Sequence, residues 1–200
     1  MKPTISITTA ILMLGCSASP KNQKDAYATI DPTIQQNTQV AIKSNSKATE
    51  FISTGQYQEA ETELKKALEA DITYGPAHSN LGSVYYFQKN YYLAAWEFEY
   101  AAKLMPGRPE PKNNLGLVYE AVGRIDNAVE EYGKAVALGP ENPELIGNLL
   151  RARIRRGDRG PDVEKLLSDL ILKDQRNEWI DWANSIKPSV RGGSQNLNNL

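Results

Sequence analysis

Apolar and small residues recur along the middle of this chain at helical spacing, and the pattern itself returns every 34 residues. Leu81, Gly82, Tyr85, Tyr91, Ala94, Phe98, Ala101 and Pro106 reappear as Leu115, Gly116, Tyr119, Ile125, Ala128, Tyr132, Ala135 and Pro140. Self-similarity at this period marks an array of helix-turn-helix units. Gly55, Lys89, Gly123 and Gly157 stand 34 apart, each between two helical stretches. Glycine suits the left-handed turn that ends the first helix of a pair. Lys89 interrupts the series, with Asn90, which tolerates that conformation, beside it. These marks predict first helices over 39–53, 76–88, 110–122 and 143–156, and second helices over 57–71, 91–105, 125–138 and 160–172. Pro106 and Pro140 close two of the second helices, because proline cannot continue a helix. Asp71-Ile72 and Lys173-Asp174 close the other two without one.

Gly82 and Gly116 fall where a first helix crosses its second, and Ala94 and Ala128 take the matching places opposite. Tyr85, Tyr119, Phe98 and Tyr132 then fill the space between pairs. This order of Leu-Gly, Tyr, Gly, Tyr, Ala, aromatic, Ala and Pro resembles the tetratricopeptide repeat. The middle two units match closely. The first keeps Phe51, Gly55, Tyr57, Ala60, Leu64, Ala67 and Leu68 but has Lys47-Ala48 for Leu-Gly. The fourth keeps Leu149, Gly157, Leu166 and Leu170 but carries Arg153, Arg159 and Asp162 at the tyrosine and alanine positions. Terminal units face solvent on one side, so their departure from the pattern is expected. The resemblance implies an all-α fold, a right-handed superhelical array of helix pairs over 39–174, with repeats at 41–74, 75–108, 109–142 and 143–174. Trp179, Ile180, Trp182, Ala183 and Ile186 share one helical face and predict a capping helix over 175–187, with a disordered tail over 188–200.

In that family the first helices line the concave face. Asn80, Asn114 and Asn148 then occupy equivalent places in three successive repeats. An Asn amide both donates and accepts, so a row of them can hold an extended backbone without reading its sequence. This resembles the asparagine ladder of some tetratricopeptide domains. The expected groove also takes in Ser83, Tyr86, Phe87, Asn113, Leu117, Arg151 and Arg155. The two arginines lie one helical turn apart, with Arg153, Arg156 and Arg159 nearby. They either meet a carboxylate or phosphate of a partner or form a solvated face offset by Glu141, Glu144 and Asp158. Family clamps for a C-terminal carboxylate place Lys and Asn, then Asn, then Lys and Arg at set positions. Those positions here hold Asn45 and Thr49, then Asn80, then Glu110 and Asn114, which argues against a chaperone-tail clamp.

Composition narrows the chemistry. With 23 basic and 24 acidic residues the net charge is −1, which offers no general pull on nucleic acid. One Cys and one His cannot build a structural zinc site. His78 sits at a packing position, and neither a phosphate loop nor a nucleophile-base pair is present. The chain therefore reads as a non-enzyme with no cofactor, no metal and no small-molecule substrate. At the start, Met1-Lys2 precedes an apolar stretch from Ile5 to Leu14 and then Gly15-Cys16, half the length that spans a bilayer. This resembles the bacterial lipobox, in which residues 1–15 would be a signal peptide and Cys16 the lipidated, palmitate-bearing first residue. Met13 stands where Leu is usual, and Lys2 alone charges the leader. An ordinary secretory signal and a short uncleaved anchor are the other readings. Residues 16–38 are polar and read as a tether. Ser17 after the Cys resembles the outer-membrane default of such lipoproteins. The resulting expectation is a lipid-anchored periplasmic scaffold that holds an extended segment of a protein partner in envelope, pilus or secretion assembly. The alternative is a structural subunit that self-associates through Trp179 and Trp182.

Overall fold

The computed structural model describes residues 37–174 and 176–191, so Cys16, most of the expected tether and residues 192–200 lie outside it. The described residues form helices only: α1 (Thr38–Ser53), α2 (Tyr57–Ala70), α3 (Gly75–Phe87), α4 (Tyr91–Leu104), α5 (Glu110–Ala121), α6 (Ile125–Leu138), α7 (Pro143–Arg156), α8 (Pro161–Lys173) and α9 (Asn177–Arg191). Each helix of the array begins and ends within one residue of its expected place. Helices pack in sequence order as pairs, and each pair packs on the next, so no residue set forms a single centre.

The pairs are held by a small residue under a ring. A Cβ built on Gly82 would stand 2.8 Å from two ring carbons of Phe98, and one on Gly116 would stand 2.6 Å from two ring carbons of Tyr132. Such distances leave no room for a side chain, which is why Leu-Gly recurs in the first helix of both middle repeats. Phe98 and Tyr132 are buried, as are Ala94, Ala101, Ala128 and Ala135 beside them.

Turn chemistry explains the boundaries. Gly55, Gly123 and Gly157 all take positive φ, at 75°, 78° and 100°. At the interrupted position Lys89 itself turns left-handed, with φ 61°. Asn90 does not take that conformation; its side chain caps α4 by accepting from the Leu93 amide at 3.4 Å. A side chain at positive φ costs about 1–2 kcal/mol relative to the right-handed form, and glycine escapes most of that. Lys89→Gly should therefore raise stability by about 1 kcal/mol in urea unfolding. No gain would mean that Lys89 is compensated locally.

The two pairs that end without proline end on a buried aspartate. Asp71 accepts from the amide and hydroxyl of Thr73 at 3.0 and 2.7 Å, and from the Thr38 hydroxyl at 2.8 Å. Burial pushes its carboxyl up, but these donors outweigh burial and hold it below the usual range. Asp174 accepts from the amide of Arg176 at 2.9 Å and from its guanidinium. In each case the carboxylate accepts from the backbone amide two residues on, a turn that leads the chain out of the helix.

The cap is longer than expected. α9 runs to Arg191 and carries Pro188 inside it, so residues 188–191 are helix rather than tail. It packs on α8, where Ala183 and Val190 are buried with Ile146, Leu150, Val163, Leu167 and Leu170. Trp182 is half-buried against the same cluster, which makes it part of the cap rather than a free adhesive surface.

Candidate functional site: the face of the first helices

The first helices of consecutive pairs touch one another, α1 with α3, α3 with α5 and α5 with α7. They therefore stand on the tighter, inner side of the stack. On this face the three equivalent asparagines have different fates. The Asn80 amide donates to Asn45 Oδ1 at 2.8 Å. The Asn148 amide donates to Asn113 Oδ1 at 2.9 Å, and both of those residues are only 6% exposed. These are internal ties between neighbouring first helices. Asn113, expected in the groove, is thus a buried structural partner. Asn114 would need its partner at position 79, but that residue is Ser79, and Asn114 has no side-chain hydrogen bond among the described residues. One rung of the expected ladder is left unspent, in the middle of the array.

Asn114 sits where two hollows meet. A polar one of about 370 Å³ is lined by Asn80, Ser83, Arg108, Glu110, Pro111 and Asn114, among others. An apolar notch of about 180 Å³ is lined by Ser83, Tyr86, Phe87, Phe98, Asn114 and Leu117. Five residues expected in the groove therefore converge on the notch. Its rim is aromatic: Phe87 is 50% exposed, stacks on Tyr57 at 5.2 Å and meets the edge of Tyr86 at 5.9 Å. At the polar end Arg108 and Glu110 form an exposed pair, with contacts of 3.1 Å. A carboxylate thus occupies a place where the family's clamp has a cation.

Arg151 and Arg155 reach back from α7 to one carboxylate on α5. Arg151 Nη2 donates to Glu120 Oε2 at 3.1 Å, and Arg155 Nη1 to Glu120 Oε1 at 3.4 Å. The Tyr132 hydroxyl donates to the same Glu120 Oε2 at 2.9 Å. Burial raises the Glu120 carboxyl, but Arg151, Tyr132 and Arg155 together hold it below the usual carboxylate range. Burial pushes the Tyr132 phenol far up, so it stays a donor. Glu120 stands one helical turn beyond notch-lining Leu117 on α5, which places this cluster beside the notch. Arg156 pairs instead with Asp158, and Arg159 donates to the carbonyls of Ile154 and Asp158. The solvated-face reading with Glu141 and Glu144 does not describe Arg151 and Arg155. Their partner is Glu120, a residue of the preceding repeat.

His78 is buried at its expected packing position, with Nδ1 2.7 Å from Glu97 Oε2 and Nε2 2.8 Å from the Ile72 carbonyl. Among the described residues no cluster of His, Cys, Asp and Glu could hold a metal ion, and no helix is long and apolar enough to cross a membrane.

The tetratricopeptide repeat family's sequence profile matches residues 45–71 and 109–142, so those segments carry tetratricopeptide repeats. No curated protein matches the sequence. Among solved structures, the first TPR domain of Spaghetti (RPAP3), bound to the HSP90 peptide SRMEEVD, is 22% identical with a TM-score of 0.59, covering 62% of this chain and 99% of that one. MamA (residue 41 to the end) from Desulfovibrio magneticus RS-1 is 21% identical with a TM-score of 0.55, covering 74% and 76%. A mutant of the Thermobaculum terrenum O-GlcNAc transferase is 24% identical with a TM-score of 0.62, covering 66% of this chain but 26% of the transferase. At these identities the likeness is one of fold, and the family matched is a repeat scaffold rather than a catalytic one.

Proposed function

We propose that this array of tetratricopeptide repeats is a lipid-anchored scaffold of the bacterial cell envelope. Cys16 would tether it to the outer membrane on the periplasmic side, and its inner face would hold an extended segment of an envelope, pilus or secretion assembly protein. The observation that carries the binding part is Asn114, an uncommitted amide at the junction of a polar hollow and an apolar notch. Such an amide can pair with both groups of one peptide unit. The peptide bound by the similarly folded RPAP3 domain supports the idea that this architecture can receive a linear segment. The anchoring part rests on the sequence around Gly15-Cys16.

Two experiments in bacterial cells address the two parts. A photo-crosslinking residue placed at Leu117 should trap an envelope protein, whereas the same residue at exposed Glu130 on α6 should not. Asn114→Ala should lower the Leu117 adduct about tenfold, since two hydrogen bonds of about 0.5–1.5 kcal/mol each are lost. Asn148→Ala should act differently: it leaves buried Asn113 without its donor, so it lowers stability as well. Equal adducts from both faces, or none, would sink the groove. Separately, Cys16→Ser should move the chain from the membrane to the soluble fraction, and identical partition of both forms would sink the anchor.

A further inference from the structure

Two features of the inner face remain unexplained by holding a backbone alone. The first is the notch. An engineered apolar cavity of about 150 Å³ takes up benzene. At about 180 Å³, the hollow among Ser83, Tyr86, Phe87, Phe98, Asn114 and Leu117 has room for one phenyl ring or one branched aliphatic group. It opens beside Asn114, so a chain whose peptide group pairs with that amide passes directly over it. The second is charge. Arg151 and Arg155 share the single carboxylate of Glu120, and the Arg155 side chain is 55% exposed. The cluster carries two positive groups and one negative, and its Glu120 stands one helical turn from notch-lining Leu117 on α5. A second carboxylate arriving from outside would complete it, because a guanidinium has five donors and Arg155 uses one on Glu120.

We propose that the groove is selective for an extended protein segment in which a leucine- or phenylalanine-sized side chain is flanked by an acidic residue. The apolar side chain fills the notch, its peptide group pairs with Asn114, and the neighbouring carboxylate completes the arginine pair. This rests on the reading that the inner face holds an extended segment. It adds what that segment must look like.

The probe is a display library of random linear peptides panned against the full chain, with enriched sequences then measured as fluorescein-labelled peptides by anisotropy. Enriched peptides should carry a large apolar residue next to Asp or Glu. Ser83→Leu, which fills the notch from its rim, should weaken them at least tenfold. Arg155→Glu should weaken the acidic peptides at least tenfold but leave their Asn or Gln counterparts within about twofold. If Ser83→Leu lowers the unfolding midpoint, Phe87→Ala replaces it, opening the notch from a half-exposed position and again weakening binding. Peptides that bind and depend on Asn114, yet show no apolar-acidic signature or ignore Ser83 and Arg155, would overturn this selectivity while leaving the groove in place. Absence of any binding peptide would overturn the groove reading, and this one with it.

Discussion

Tyr132→Ala should cost about 3–5 kcal/mol, the range for removing a fully buried aromatic ring. The ring is 0% exposed and lies directly on Gly116, so its loss opens a void between α5 and α6 that neither helix can close without moving. Ala128, Val129, Leu149 and Ala152 share its cluster and would lose contacts on one side. The hydroxyl is lost as well, taking one donor from Glu120. In a stack, each unit is stabilised mainly by its neighbours, so damage in the third repeat also uncouples the fourth from the first two. With urea slopes of about 1–3 kcal/mol per molar, the midpoint should fall by about 1 M or more. Phe98→Ala, at the equivalent place over Gly82, should cost a similar amount of packing without the polar loss. Tyr132→Phe separates the terms, because it keeps the ring and should cost about 1.5–3 kcal/mol for a hydrogen bond to a charged group. A cost below about 1 kcal/mol for Tyr132→Ala would show that the ring-on-glycine contact does not hold the pairs together.

That contact was legible in the sequence, and the reason is geometric. Positions 34 apart are equivalent, so a glycine and an aromatic that return together announce one repeated packing event. Helix ends were legible for the same reason. What the period hides is which residues touch across repeats. Asn80 meets Asn45, and Asn148 meets Asn113, each at a separation of 35 residues. Arg151 and Arg155 meet Glu120 at separations of 31 and 35. Contact pairs on the inner face are thus offset from the repeat length, because a side chain reaches to a different turn of the neighbouring helix. Aligning the asparagines by 34 shows a ladder, while pairing them by 35 shows two rungs already tied and Asn114 facing Ser79. The same offset of 35 leads from Arg155 to Glu120. Lys89 failed differently. A lysine in a left-handed turn has no local signature, since the repeat imposes that conformation on whatever residue occupies the place.

Glu120→Ala should cost about 2–3 kcal/mol, and part of that cost should depend on pH in one direction. The carboxylate is 13% exposed and neutralises Arg151, whose side chain is partly covered. Without it Arg151 loses its partner, and Tyr132 keeps a buried hydroxyl with no acceptor. Burial alone would favour the protonated acid, but Arg151, Tyr132 and Arg155 favour the anion more, so the folded-state pKa lies below the unfolded value of about 4.3. A depressed carboxylate contributes stability that is fully present above the unfolded value and is lost as pH falls through the folded one. The isosteric Glu120→Gln variant isolates this term, because Asp71, Asp158 and Asp174 are depressed too and lose stability with acid in both proteins. The difference in unfolding free energy between wild type and Glu120→Gln should therefore be flat from pH 7 to about pH 5 and shrink below about pH 4.3. A difference that stays constant into strong acid would mean that the charge on Glu120 contributes nothing. One that grows on acidification would mean that the carboxyl is held as the neutral acid, and the arginine pair would then carry two uncompensated positive charges.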